Sequence, residues 1–116
     1  GRDAQSPRAS GTLRSHYAPA AKLRLMSAQQ LRDALEVLGP QAGSLRLGVY
    51  SRTALRVGRG IALRRMPDDP SAAARELFAV LRDFDAQGVQ LLWVEQPPDE
   101  AGWEGVNDRL TRAAAG

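Results

Sequence analysis

Met66-Pro67-Asp68-Asp69-Pro70 opens a stretch that runs through Leu77, Phe78, Leu81, Phe84 and Gly88 to Val89-Gln90-Leu91-Leu92-Trp93-Val94-Glu95, and it points to a fold class by itself. Asp69 suits the N-cap of a helix, and Pro70 suits the first helical position, where its missing N–H costs nothing. Ala74, Leu77, Phe78, Leu81 and Phe84 then recur at helical spacing, which predicts a helix to about Ala86, closed by Gly88. Val89 to Glu95 is apolar except for Gln90 until its acidic end. That pattern reads as an interior strand of a sheet covered on both faces.

Upstream, Lys22 to Met26 alternates with Leu23 and Leu25 on one face, a strand pattern. Ser27-Ala28-Gln29-Gln30 is a capping box, in which the Ser side chain takes the N3 amide and the Gln reaches back to the cap. Leu31, Ala34, Leu35 and Leu38 form the buried stripe of a helix that Gly39-Pro40 ends. Strands are predicted at Leu45 to Tyr50 and at Ile61 to Met66, and Ser51 to Gly60 between them holds a short helical turn or plain loop. Those ten residues are barely enough for a parallel crossover, so the orientation of the Ile61 strand stays open. Downstream, Gln96-Pro97-Pro98-Asp99 turns the chain, and Trp103, Val106, Leu110 and Ala113 mark a last amphipathic helix. Strands separated by helices at this rhythm predict an α/β, Rossmann-like three-layer sandwich with a mainly parallel sheet of about four strands.

One hundred and sixteen residues, 43% apolar and 25% charged, suit one small soluble domain. The absence of cysteine excludes a disulfide framework and a thiolate metal site, and a single histidine excludes a His-rich one. Without an 18-residue apolar run or a signal-peptide core, a cytoplasmic soluble protein is expected. The chain begins in linker-like sequence without an initiating Met, so it reads as a domain cut from something longer. The net charge of +3 raises nucleic-acid binding, but the arginines are scattered over different elements and interleaved with acids, and Lys22 is the sole lysine.

Ligands of open α/β sheets bind beyond the carboxyl ends of the strands. Here those ends carry Ser51, Met66 with Pro67, and Glu95 with Gln96, which is thin chemistry. Gly58-Arg59-Gly60 precedes a strand, whereas a dinucleotide fingerprint follows one, so it reads as a turn. Asp68, Asp69, Asp83, Asp85, Asp99, Glu100 and Glu104 fall at helix starts or exposed faces, and Trp93 and Trp103 read as core or interface anchors.

The remaining stretch, Ser10-Gly11-Thr12-Leu13-Arg14-Ser15-His16-Tyr17-Ala18-Pro19, has no apolar periodicity and holds the only histidine. A residue before proline is pushed toward extended conformations, and Gly1 to Gly11 has the composition of a linker. An imidazole and a phenol on such an arm can contact a nucleotide, a carboxylate or a partner domain, or can simply pack on the body.

This arm resembles the linker of two-domain threonylcarbamoyl-AMP synthases, the YrdC/YwlC family, in which a Pro-Gly-Met-x-x-x-His-Tyr-Ala-Pro-like segment joins the catalytic domain to a C-terminal domain. Ser10 and Thr12 depart from that pattern, standing where Pro and Met are usual. The resemblance extends over Met66-Pro67, Asp69-Pro70, Leu77, Leu81-Arg82, Asp85, Gly88, Val94-Glu95, Pro97-Pro98, Trp103 and Asn107-Asp108-Arg109-Leu110.

The resemblance implies a linker or lid over residues 1–21 and a Rossmann-like accessory domain over 22–116, with the N-terminal catalytic YrdC domain absent. The parent enzyme would make threonylcarbamoyl-AMP from threonine, bicarbonate and ATP with a divalent metal, for threonylcarbamoyladenosine in tRNA. Ser15, His16 and Tyr17 would be lid contacts to that catalytic domain. No catalytic residue, cofactor or metal is expected in the fragment itself, which would be inactive alone. Direct tRNA binding is not expected of it, nor a membrane. Two other classes remain: a tRNA- or partner-binding module using Arg64 and Arg65, and a small-molecule regulatory domain.

Overall fold

The computed structural model describes residues 19–115. Its elements are β1 (Lys22–Met26), α1 (Ala28–Leu38), a 3-10 helix (Gly39–Leu45), β2 (Leu47–Ser51), β3 (Ala62–Arg65), α2 (Pro70–Ala86), β4 (Leu91–Glu95) and α3 (Glu104–Ala115). The four strands form one sheet in the order β1-β4-β2-β3, and every pairing is parallel. Leu91 of β4 lies opposite Lys22 of β1 on one side and Leu47 of β2 on the other, so β4 is interior as its apolar run predicts.

Alternation along the strands sends side chains to two helix layers. Met26, Leu47 and Val49 meet Leu31 of α1, with Leu35, Leu38, Leu91 and Trp93 packed around them. Leu23, Tyr50, Leu92 and Val94 point the other way, toward Leu77, Leu81 and Phe84 of α2 and Val106 and Leu110 of α3. The result is the predicted three-layer arrangement, with one helix on one face and two on the other.

The local signals for α1 and α2 are realised in atomic detail. Ser27 Oγ accepts from the Gln30 amide at 3.1 Å while the Ser27 amide donates to Gln30 Oε1 at 2.7 Å, completing the capping box. Asp69 accepts from the Ala72 amide at 2.9 Å and Pro70 sits in the first turn of α2. The α2 stripe is rotated slightly from the prediction: Ala73 and Val80 are buried beside Leu77, Leu81 and Phe84, and Ala74 is exposed.

β2 and β4 each start two residues later than expected, and the open orientation of the third strand is fixed by its pairing. Leu45 belongs to the 3-10 helix rather than to β2, because Arg46 adopts a left-handed conformation (φ 52°) that breaks the extended run. The third strand is parallel to β2, with Gly48 opposite Ala62 and Ser51 opposite Arg65. The crossover from Arg52 to Ile61 contains no helix, and its Leu55 and Ile61 pack beside α1 against Leu47 and Val49. An irregular loop thereby does the covering that a crossover helix does elsewhere in such sheets.

Candidate functional site

The chain passes from β1 to β2 on the α1 side of the sheet and from β3 to β4 on the α2 side. β4 and β2 are neighbours whose outgoing connections diverge to opposite faces, the kind of place where open α/β sheets form a crevice. Ser51 ends β2 and Glu95 ends β4, so two of the strand-end residues singled out from sequence meet here.

Glu95 is 6% exposed and its carboxylate is densely partnered. Oε1 accepts from the Ser51 hydroxyl at 2.7 Å, the Arg52 amide at 2.9 Å and the Thr53 amide at 3.0 Å. Oε2 lies 3.5 Å from the Arg52 guanidinium. Burial pushes the Glu95 carboxyl up, but the bonds from Ser51 and Thr53 and the charge of Arg52 outweigh it and hold the group below its ordinary range.

Arg52 links this carboxylate to Trp103, just ahead of α3. Its guanidinium lies 5.6 Å from the centre of the Trp103 ring and 3.9 Å from Asp68, and its Nε is buried without a hydrogen bond from the protein. On the far side of Ser51 lies a cleft of about 320 Å³, bordered by Thr53, Leu55, Leu63 and Arg65. Arg64, at its rim, is paired with Asp83 at 3.0 Å.

This geometry makes the cluster a brace. Ser51 is fully buried, and a carboxylate held in its ionised form by several donors is a weak general base at neutral pH. It fixes the direction in which the Arg52–Ile61 loop leaves the sheet. Among the described residues no group of His, Cys, Asp and Glu side chains could hold a metal ion. No described helix is long and apolar enough to cross a membrane.

The candidate lid residues Ser15, His16 and Tyr17 lie outside the described residues. What the structure does show is where their segment joins the body. Pro19 is buried, and the carboxylate of Asp85, in the last turn of α2, accepts the Ala20 amide at 3.1 and 3.2 Å and the Ala21 amide at 3.4 Å. Sequence reasoning assigned Asp85 to an exposed helix face. A contact between residues 65 apart leaves no periodic signal.

The fold and the strand-end crevice define an open, wholly parallel α/β domain of Rossmann-like class. Within that class the sequence is specific: residues 1–115 match the family described as threonylcarbamoyl-AMP synthase, C-terminal domain, and the chain belongs to that family. The structure is similar to that of P. abyssi Sua5 complexed with L-threonine, with a TM-score of 0.68 and 23% identity, over 86% of this chain and 30% of that one. A variant of P. abyssi Sua5 with adjacent histidine and tyrosine residues replaced by alanine gives a TM-score of 0.68 at 18% identity, over 84% of this chain and 28% of the other. The chain thus spans under a third of the length of these solved relatives, and at such identities the likeness is one of fold. A search of curated proteins gave no match.

Proposed function

We propose that this chain is the linker and accessory domain of an L-threonylcarbamoyladenylate synthase and works through contact with the catalytic domain of the same enzyme. The observation that carries the reading is the family match, which includes the Ser15-His16-Tyr17 segment as well as the α/β body. In this reading the parent enzyme joins threonine, bicarbonate and ATP into threonylcarbamoyl-AMP and pyrophosphate, for tRNA modification in the cytoplasm. ATP and its divalent metal bind the catalytic domain. The threonine complex of P. abyssi Sua5 supports threonine as a substrate.

Residues 22–116 form the accessory domain and residues 1–21 the linker. Ser15, His16 and Tyr17 close over the catalytic cleft, where an imidazole and a phenol exclude water and donate hydrogen bonds to an anionic intermediate. The brace around Glu95 suits a supporting role, since it presents a rigid sheet end without a nucleophile and base pair open to solvent.

The test is pyrophosphate release from ATP in the presence of threonine and bicarbonate. The full-length enzyme is expected to turn over and the isolated fragment is not. His16→Ala with Tyr17→Ala in the full-length enzyme is expected to lower turnover without changing the melting of the accessory domain. Turnover by the purified fragment would refute the accessory role, and an unaffected double variant would refute the lid.

A further inference from the structure

We propose that Asp85 is a positioning residue for the linker, the fixed point from which the segment bearing Ser15, His16 and Tyr17 leaves the domain. The inference rests on the lid reading above and deepens it. Main-chain pairing of β1 begins with the Lys22 amide on the Gln90 carbonyl at 2.9 Å. Asp85 extends that hold two residues further back, taking the Ala20 amide with both carboxylate oxygens and the Ala21 amide with one. Pro19, next in line, is buried. Hydrogen bonds to an ionised acceptor are stronger than those between neutral groups, and here they span two elements far apart in sequence.

The clamp has a geometric consequence. Ala20 leads into β1 and Asp85 ends α2 ahead of β4, so the clamp sits at the amino ends of the strands. The described chain therefore enters the domain at this edge of the sheet, the edge that a catalytic domain joined through Pro19 would face. The Glu95 brace and the 320 Å³ cleft lie at the opposite, carboxyl edge, clear of that contact.

The test uses the full-length enzyme with Asp85→Ala and Asp85→Asn, each alone and combined with His16→Ala/Tyr17→Ala. Asp85→Ala is expected to lower kcat roughly tenfold, the scale of a lost charge-assisted hydrogen bond, with KM for threonine and ATP little changed. Asp85→Asn keeps a carbonyl acceptor and should recover part of the loss. In the His16→Ala/Tyr17→Ala background neither change should cost anything more, because both act through one element. Amide exchange at Ala20 and Ala21 should accelerate in Asp85→Ala.

An equal loss in both backgrounds would mean that Asp85 acts on the fold, overturning the proposal. An unchanged kcat in both Asp85 variants would overturn it as well. Should Asp85→Ala fail to fold, Asp85→Asn decides by the same two criteria. If the His-Tyr double variant is impaired while Asp85→Ala is not, the clamp fails and the lid stands. If both are silent, both readings fall.

Discussion

The ring of Phe84 occupies the space that a Cβ on Gly48 would need: an added methyl would meet Cδ1 at 2.8 Å and Cε1 at 2.9 Å, with Val89 Cγ1 at 3.1 Å. An aromatic residue of α2 therefore packs on β2 where the strand has no side chain, and it meets the neighbouring Tyr50 ring edge-on, 6.3 Å between centroids at 66°. Gly48→Ala forces one of these groups to move. A destabilisation of about 1–3 kcal/mol is expected, the usual cost of overpacking a filled core. Urea unfolding of the wild type and the variant checks it.

Glu95 makes stability pH-dependent in a definite direction. Its folded-state carboxyl titrates below its ordinary value, so as pH falls the unfolded chain takes up the proton first. The contribution is full above the ordinary glutamate range, near pH 4.3, and is lost as pH drops through that range toward the lowered folded value. Glu95→Gln should be less stable than the wild type at pH 7, and the gap should narrow at pH 3. A gap that stays constant would contradict the brace.

Arg52 and Glu95 should be energetically coupled. Arg52→Ala removes the cation above Trp103 and the charge beside a buried carboxylate, and the double-mutant cycle with Glu95→Gln should give a coupling of about 0.5–3 kcal/mol. Chemical denaturation of the four proteins provides the cycle. Additive losses would reduce the pair to mere proximity.

Ser27→Ala removes the hydroxyl that accepts the Gln30 amide at the start of α1. The expected loss is about 1 kcal/mol. Because α1 shares the cover of its face of the sheet only with the Leu55 and Ile61 loop, the fluorescence of half-buried Trp93 should report the loosening.

Tyr50 is buried and donates its hydroxyl to Glu76 at 2.5 Å. Burial, with the Glu76 carboxylate beside it, pushes its phenol well above the ordinary range near pH 10. The raised group resists ionisation, so its share of stability is complete below pH 10 and is lost as pH rises beyond it. A spectrophotometric titration should find Tyr50 un-ionised in the folded protein at pH 11.

What the sequence disclosed follows from how far each signal reaches along the chain. The capping box at Ser27, the Asp69-Pro70 start and the apolar run of β4 are local, and each appears where expected. Leu45 lies outside β2 because Arg46 is left-handed, and an arginine in that conformation has no residue-type signature, unlike a glycine in that place. The direction of β3 stayed open because the rule of thumb for crossovers assumes a helix, whereas Leu55 and Ile61 let a loop cover the sheet. At the candidate site, Ser51 and Glu95 were visible as strand ends. Their bond, the turn of Arg52 onto Trp103 and the grip of Asp85 on Ala20 depend on the strand order, which no short-range pattern encodes.

The strand order β1-β4-β2-β3 also sets a timetable. β1 has a single neighbour in the sheet, β4, which enters the chain 65 residues after β1 ends, at Leu91. Such distant pairings pay their loop-closure entropy before any contact rewards it, so they are slow to form. β2 and β3, only ten residues apart, can meet early, whereas β1 must wait for α2 and β4. The residues that Asp85 holds are therefore expected to be secured in the closing stage of folding, and pulse-labelled amide exchange should find Ala20 to Leu25 protected after Val49 and Leu63. The N-terminal entry into the sheet would then be the last thing the domain completes.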